Sequence, residues 1–325
     1  MKKIRYLEAF ALALHDEMAA DDTVIVLGED VRQSLRRVTY NLVEEFGDHR
    51  VLDTPLSEQA ATGFATGAAL MGLRPVLEFQ VPSLLYVAFD QVVNQAQKLS
   101  LMTGGQARVP ATYIFPGSGA RSGLAGQHSD NPYMLLAHSG VKTVVPATPS
   151  DAYGLLRSAI CDDDPVAVFA PAAILGTREE VDTPLPLVPL GRGRIHREGS
   201  DVTLVAAGHL VQLALAVADE AALAGVSVEI FDPRTIFPFD WALLGESVAK
   251  TGRLVVSDDT NRTGGLAGEI LATMSEWGLL RTRPRRVTRA DVTVAFAPVL
   301  EAAVLPKREE VLAAVMDVMG NARTR

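Results

Sequence analysis

The feature that most constrains this chain is a rhythm. Short β-branched runs alternate with longer alanine-rich stretches along almost its whole length. Eight runs have strand character: Thr23–Leu27, Pro75–Phe79, Thr112–Phe115, Lys142–Val145, Val166–Phe169, Val202–Ala206, Ser227–Phe231 and Leu254–Val256. Helical patterns lie between them at Glu58–Met71, Phe89–Leu101, Pro149–Cys161, Val211–Ala224 and Gly265–Trp277. Parallel strands need crossover connections, and helices are the usual ones, so this alternation predicts an α/β fold of two doubly wound, three-layer domains. One stretch breaks the rhythm. Pro184, Pro186 and Pro189, then Gly191, Gly193 and Gly199, fall between Pro171 and Ser200, where neither period persists. Proline fixes φ and lacks an amide donor, which suits an extended linker. The expected organisation is a first domain at 1–180, a linker at 181–200 and a second domain at 201–325. The 325 residues suffice for two domains of roughly 100–200 residues each, and 48% hydrophobic residues suffice for two cores.

Charge narrows the function. A formal net charge of −9 argues against nucleic acid, whose phosphates require a basic stripe, and against a polybasic membrane anchor. No apolar run approaches the ~20 residues of a membrane span. Cys161 is the single cysteine, so no intrachain disulfide can form. At the N-terminus Glu8, His15, Asp16 and Glu17 interrupt the apolar run, while Leu7, Phe10, Ala11 and Leu14 recur at helical spacing. That pattern predicts an amphipathic first helix rather than a signal peptide, and a cytoplasmic chain.

In doubly wound folds ligands gather at the carboxyl ends of the strands, and four segments stand there. Gly28-Glu29-Asp30 follows the first strand and reads equally as a solvated acidic turn. Asp53–Gln59 leads into a helix with Ser57 as candidate cap and Glu58 in the first turn, where the helix dipole favours a carboxylate. Its Gly63 and Gly67 share one face, which suggests close packing of another backbone, such as that of a partner subunit. Pro116–Ser129 is glycine-rich, lacks the P-loop lysine and presents His128. Arg262–Gly265 suits either an anion or a tight strand-to-helix turn. No HExxH, CxxC or GxSxG motif occurs. Asp162, Asp163 and Asp164 read as an exposed turn before Pro165.

Taken in order, GED (28–30), DTPLSEQ (53–59), GLRPVLEF (72–79), FDQVVNQAQK (89–98), QHS (127–129), VVPATPSDAYGLL (144–156), DPRTIFPFD (232–240) and TGRLVVSDD…RTGG (251–265) resemble the β chain of the decarboxylating component of 2-oxoacid dehydrogenase complexes. The resemblance spans nearly the whole sequence. It implies a transketolase-like pyrimidine-binding domain, a transketolase C-terminal domain, and thiamine diphosphate bound between an α and a β chain in an α2β2 assembly. Glu58 matches the glutamate that contacts N1′ of the aminopyrimidine. A carboxyl there favours the imino tautomer at the 4′ nitrogen, which can then take the C2 proton. His128 matches a histidine at the reacting end. Glu29, Gln80 and Leu84 match positions beside the cofactor. The sequence has no GDG, the usual Mg2+ and diphosphate anchor, so the resemblance assigns that anchor to the α chain. It further implies a 2-oxo acid substrate, a lipoyl-bearing acyltransferase as acceptor, and a potassium site at Thr112, Ala159, Ile160, Asp162 and Asp164.

Several positions depart from the family pattern. Leu84 stands where an aromatic residue is common, Phe115 where an arginine is common, and Asp164 where asparagine is frequent. The segment VRQSLRRVTYNL after Asp30 lacks the usual glycines. A thiamine-dependent carboligase or acyl transferase in a specialised pathway therefore stands as an alternative, and a non-catalytic scaffold subunit as another.

Overall fold

In the computed structural model, which describes residues 2–120, 123 and 125–320, the chain divides into two units, Met1–Leu190 and Gly191–Arg325. Of the glycine-rich segment expected to present a site, Arg121, Ser122 and Leu124 lie outside the described residues.

The first unit contains strands β1 (Lys2–Arg5), β2 (Val24–Gly28), β3 (Val51–Asp53), β4 (Arg74–Glu78), β5 (Thr112–Ser118), β6 (Lys142–Val144), β7 (Val166–Pro171) and β8 (Arg178–Val181). Its helices are α1 (Tyr6–Ala20), α2 (Leu42–Phe46), α3 (Glu58–Leu70), α4 (Leu85–Asp90), α5 (Leu99–Met102), α6 (Ala125–His128), α7 (Tyr133–His138) and α8 (Pro149–Ile160). Six strands form a parallel sheet in the order β6-β7-β5-β4-β2-β3. One face is covered by α1 and α8, whose Phe10, Leu14, Leu155 and Leu156 pack on Val24, Val26, Val76, Ile114 and Val168. Residues one step along the strands point to the other face. There Phe79, Phe115 and Phe169 form a column with centroids 4.7 and 4.5 Å apart, and Tyr133 meets Phe169 edge-on. Thus Phe115, where the family often has arginine, is buried in an aromatic stack.

Two polar clusters sit in this frame. Glu17 of α1 is buried between Arg157, which donates to it through Nε, and the Cys161 thiol at 3.3 Å. Tyr153 Oη donates to Asp16 at 2.6 Å beside it. The first helix is therefore amphipathic, as its spacing predicts, but its buried face carries a paired acid.

The helical pattern at Phe89–Leu101 is interrupted. After α4 the chain enters a π-helical run at Gln91–Gln97, closed by Lys98 N donating to Val93 O at 3.2 Å, and only then resumes as α5. Extra-residue turns of this kind recur at functional sites.

The second unit has strands β9 (Arg194–Arg197), β10 (Val202–Ala206), β11 (Val228–Asp232), β12 (Thr235–Phe237), β13 (Leu254–Asn261) and β14 (Arg285–Arg289). Its helices are α9 (Leu210–Leu223), α10 (Trp241–Thr251), α11 (Leu266–Glu276), α12 (Pro298–Val304) and α13 (Arg308–Gly320). The sheet order is β14-β13-β10-β11-β9, parallel except for the β11–β9 edge. The segment expected as a linker at 181–200 thus holds one strand, β9, and the last residue of another, β8. β8 pairs antiparallel with β1, and β9 pairs antiparallel with β11. Both are edge strands recruited by a neighbour's open backbone groups, which explains the weak period of their own sequences. The Arg262–Gly265 turn resolves as a tight strand-to-helix connection. Asp258 Oδ2 accepts from Ala267 N at 3.0 Å, so the start of α11 already holds an internal carboxylate.

Among the described residues no helix is long and apolar enough to cross a membrane.

Candidate active site

The carboxyl ends of β2 and β4 meet the start of α3, and this junction gathers three of the sequence-predicted residues. Gly28 lies opposite Glu78 in the β2–β4 register. Its φ is +152°, and a Cβ there would come within 2.6 Å of Glu78 O. Only glycine lets the two strand ends approach this closely. The chain then turns at Glu29. Gln80, two residues past β4, is buried, and its Nε2 donates to Glu29 O at 2.6 Å. Glu58 is the first residue of α3, reached through the Asp53–Ser57 turn. Ser57 does not cap the helix as expected: its hydroxyl donates to Leu56 O at 2.7 Å.

Glu29, Glu58, Gln80 and Thr54 line a narrow, partly open crevice of about 10 Å³, room for about one water molecule. Glu58 also borders an open concavity of about 540 Å³, walled by Leu56, Gln59, Ala60, Gly63, Val87 and Gln91. Glu58 therefore stands between a narrow crevice and an open groove. Burial pushes the Glu29 carboxyl above the usual carboxylate range, and the charges of Glu58 and Asp30 push it in the same direction.

Within this chain Gly63 faces the Gln91 side chain of the π-helical run. A Cβ there would lie 3.1 Å from Gln91 Oε1, so the missing side chain makes room for Gln91 at the groove. Gly67, expected to share this role, faces open space within the chain.

The elements that carry His128 and Leu84 pack on each other. The turn Pro82–Leu84 follows Gln80, and α6, which ends on His128, packs against it. The strand before this segment is longer than expected: Pro116, Gly117 and Ser118 continue β5, and Gly119 N donates to Asp130 O at 3.0 Å. Tyr86 Oη donates to the Asp130 carboxylate, tying α4 to the same loop. Leu84 is half-buried and His128 half-buried.

The residues expected to hold potassium are clustered but engaged. Arg74 Nη1 donates to Ile160 O at 3.1 Å and to Asp162 O at 2.9 Å. Lys142 Nζ lies 2.7 Å from Asp162 Oδ1 and 3.1 Å from Asp164 Oδ2, and Arg108 donates to Asp164 Oδ1 at 2.8 Å. Partial burial opposes the charged form of Lys142, but Asp162 and Asp164 outweigh it and raise its pKa. The aspartates at 162–164 are therefore an ion-pair cluster and not a free solvated turn. A metal cation here would have to displace an ammonium and a guanidinium from the same oxygens, so this donor set, as arranged, does not fit one.

Sequence reasoning missed three features. Glu78, inside the apolar run RPVLEF, is buried with neither carboxyl oxygen hydrogen-bonded. A charged residue at a strand position flanked by Leu77 and Phe79 was the available signal. Arg36, whose Nε donates to Gln80 Oε1 at 3.2 Å, and Gln91 carry no local motif.

Comparison with known families decides what kind of chain carries this junction. Residues 2–177 match the transketolase pyrimidine-binding domain, and residues 191–311 match the transketolase C-terminal domain. The chain is 38% identical to the pyruvate dehydrogenase E1 component subunit beta of Rickettsia felis, over 97% of this chain and 98% of that one. This is a β chain of the 2-oxoacid dehydrogenase E1 family. The family's range is wide around it. The β chain is 38% identical to the Bacillus subtilis acetoin:2,6-dichlorophenolindophenol oxidoreductase subunit beta, with 96% and 95% coverage. It is 40% identical to the Mycobacterium tuberculosis 3-methyl-2-oxobutanoate dehydrogenase subunit beta, with 85% and 80% coverage. Among solved structures, a split-gene transketolase described as an inactive β4 tetramer superposes with a TM-score of 0.81 at 23% identity, covering 98% of this chain and 99% of that one, and agrees with the two-domain fold.

Proposed function

We propose that this β chain supplies the pyrimidine-activating half of a thiamine-diphosphate site, decarboxylates a 2-oxo acid together with an α chain in an α2β2 assembly, and passes the acyl group to lipoamide. The observation that carries the reading is Glu58 itself. Its carboxyl starts α3, borders the open groove and shares a crevice with Glu29.

The residues present fit one end of the cofactor. A carboxyl beside a second carboxyl of raised pKa is suited to holding a proton at N1′ of an aminopyrimidine. Gln80, Glu29 and the apolar Leu84 supply polar and apolar contacts around it. They do not suit the other end. Glu29, Asp30 and Glu58 make this wall acidic, and a diphosphate needs cations or a metal. Mg2+ and the diphosphate are therefore assigned to the α chain. When bound, thiamine diphosphate provides the thiazolium that serves as electron sink for loss of CO2 from a 2-oxo acid. Glu58 holds and releases the proton at N1′, while His128 offers a donor or acceptor to the reacting end. The open groove supports the partner reading: exposed Leu56 and Val87 line it beside Glu58, an apolar surface that a second chain would cover.

The test is reconstitution with the α chain, thiamine diphosphate and Mg2+, measuring 2-oxoacid-dependent reduction of 2,6-dichlorophenolindophenol. Glu58→Ala is expected to abolish the reaction without moving the thermal midpoint by more than about 2 °C. Full retention of activity would falsify the assignment.

Leu84 and the buried Phe115 support a second reading, a carboligase that delivers the acyl unit to another acceptor. An apolar, non-aromatic Leu84 keeps contact with a ring but loses stacking. Product analysis separates the two. Acyl-lipoamide as sole product excludes the carboligase, and a carbon–carbon condensation product excludes lipoamide as the acceptor.

A further inference from the structure

The segment from Glu29 to Asn41 has an unusual backbone geometry. Asp30, Ser34, Arg37 and Asn41 have φ of 52, 51, 62 and 63°. Residues other than glycine hold that conformation only when surrounding contacts fix it. The contacts are on hand. Arg32 Nε donates to Val51 O and Arg32 Nη2 to Asp48 O, each at 2.9 Å, and Arg32 N donates to Asp53 Oδ1 at 3.0 Å. Thr39 Oγ1 donates to Val31 O at 2.7 Å. A segment pinned this way holds Arg36 against β4.

From Arg36 a hydrogen-bond chain runs to the candidate site. Its Nε donates to Gln80 Oε1 at 3.2 Å, and Gln80 Nε2 donates to Glu29 O at 2.6 Å. Gln80 is 9% exposed, and both hydrogen bonds of the link are partly buried. Holding Glu29 O holds the turn from which the Glu29 carboxyl projects towards Glu58. We propose that Arg36, acting through Gln80, is a positioning residue for the Glu29–Glu58 carboxyl pair. The inference rests on the function proposed above for Glu58.

A competitor for the guanidinium lies nearby. Glu78 of β4 shares its sheet face with Val76, and its Cβ lies beneath the Gly28–Val31 turn. Its carboxyl is buried and neither oxygen is hydrogen-bonded. Burial pushes its pKa up to about 8, against the pull of Arg36. Glu78 is therefore an uncharged acid at neutral pH, and Arg36 stays on Gln80 in place of a buried carboxylate. The charged groups that face Glu29 are Glu58 from α3 and Asp30 from its own turn; Arg36 reaches it only through Gln80. Releasing the link lets the turn open to water, and the Glu29 pKa then falls towards its ordinary value.

The test uses the full chain reconstituted with its α partner, with Arg36→Met, Arg36→Lys, Glu29→Gln and the double variant R36M/E29Q. R36M is expected to lower kcat about tenfold, the loss of one charge-assisted hydrogen bond, with KM for the 2-oxo acid near that of the parent. The acidic limb of its kcat profile moves to lower pH. R36K, which keeps a cationic donor, restores most of the rate. The double variant is no slower than the slower single one, because both act on the same carboxyl. Hydrogen exchange on the free full chain supplies a readout without cofactor: amides 28–30 exchange faster in R36M and in Gln80→Leu, which breaks the same link should R36M fail to fold. An unchanged pH profile together with unchanged exchange at 28–30 would overturn the proposal, as would losses in the two single variants that multiply. Activity surviving in E58A sinks the proposed function alone, since the exchange result still decides the Arg36 link.

Discussion

Replacing Glu78 with glutamine should flatten the pH dependence of stability in the first unit. The carboxyl is buried at the end of β4, and its pKa lies at about 8 in the folded chain against 4.5 for an ordinary glutamate. Between those two values the folded chain keeps a proton that the unfolded chain releases. Stability is therefore full below pH 4.5, falls as pH rises through the window, and levels off above about 8. Each pH unit of that gap corresponds to ~1.4 kcal/mol, so the ceiling is about 5 kcal/mol. Glutamine keeps the shape and carries no titrating proton. Urea unfolding at pH 5 and pH 8, followed by circular dichroism, measures the effect. The parent should lose at least about 2 kcal/mol more than Glu78→Gln between the two pH values. With a urea slope of ~2 kcal/mol per M, that difference displaces the midpoint by about 1 M. Equal pH dependence in parent and variant would show that Glu78 is hydrated or paired in solution, and the burial argument would fail.

Other outcomes follow from the same geometry. Lys142→Met leaves Asp162 and Asp164 facing each other without their ammonium and should cost about 2 kcal/mol, lowering the melting temperature by roughly 4–8 °C in calorimetry. A change below 1 °C would mean the cluster is screened by water. Glu17→Ala strands Arg157 in the α1–α8 contact and should cost about 3 kcal/mol, read as a lower urea midpoint. Gly28→Ala drives a methyl to within 2.6 Å of Glu78 O and should destabilise the first unit by about 2–3 kcal/mol, with thermal unfolding as the check. His128→Ala should slow turnover in the reconstituted enzyme at least tenfold while calorimetric cofactor affinity stays within about twofold.

Eight of the parallel strands were legible because they are largely buried and carry an apolar run, as in VIVL at 24–27 and VTLVA at 202–206; β3 (VLD) and β14 (RRVTR), parallel but only partly buried, were not. The edge strands REEV (178–181) and RIHR (194–197) were not, because their conformation is imposed by the strand they join and not by their own period. The prolines between them mark a real change in the chain, yet they do not prevent pairing at an edge. At the candidate site, Glu58 was visible as a helix-start acid within an ordered set of motifs. Arg36 was not, because it reaches Gln80 across forty-four residues of sequence and sits in a segment whose backbone is shaped by tertiary contacts. The expectation for Ser57 failed for a local reason: its hydroxyl turns back to the preceding carbonyl and leaves the helix start to Glu58.

The π-helical run at Gln91–Gln97 has a geometric consequence beyond its own length. In insertional terms it behaves as surplus backbone inside one continuous helix from α4 to α5. Each added residue turns everything downstream by about 100°. That rotation sets the bearing of α5, where Leu101 and Met102 are 86% and 74% exposed. It also brings Gln91 against Gly63 at the groove. Deleting one residue between 91 and 97 would let the ladder close as an ordinary α-helix, swing Leu101 and Met102 off their present heading, and keep the upstream groove wall at Val87 where it is. The run works as a phase shifter, letting one helix address two directions with apolar side chains.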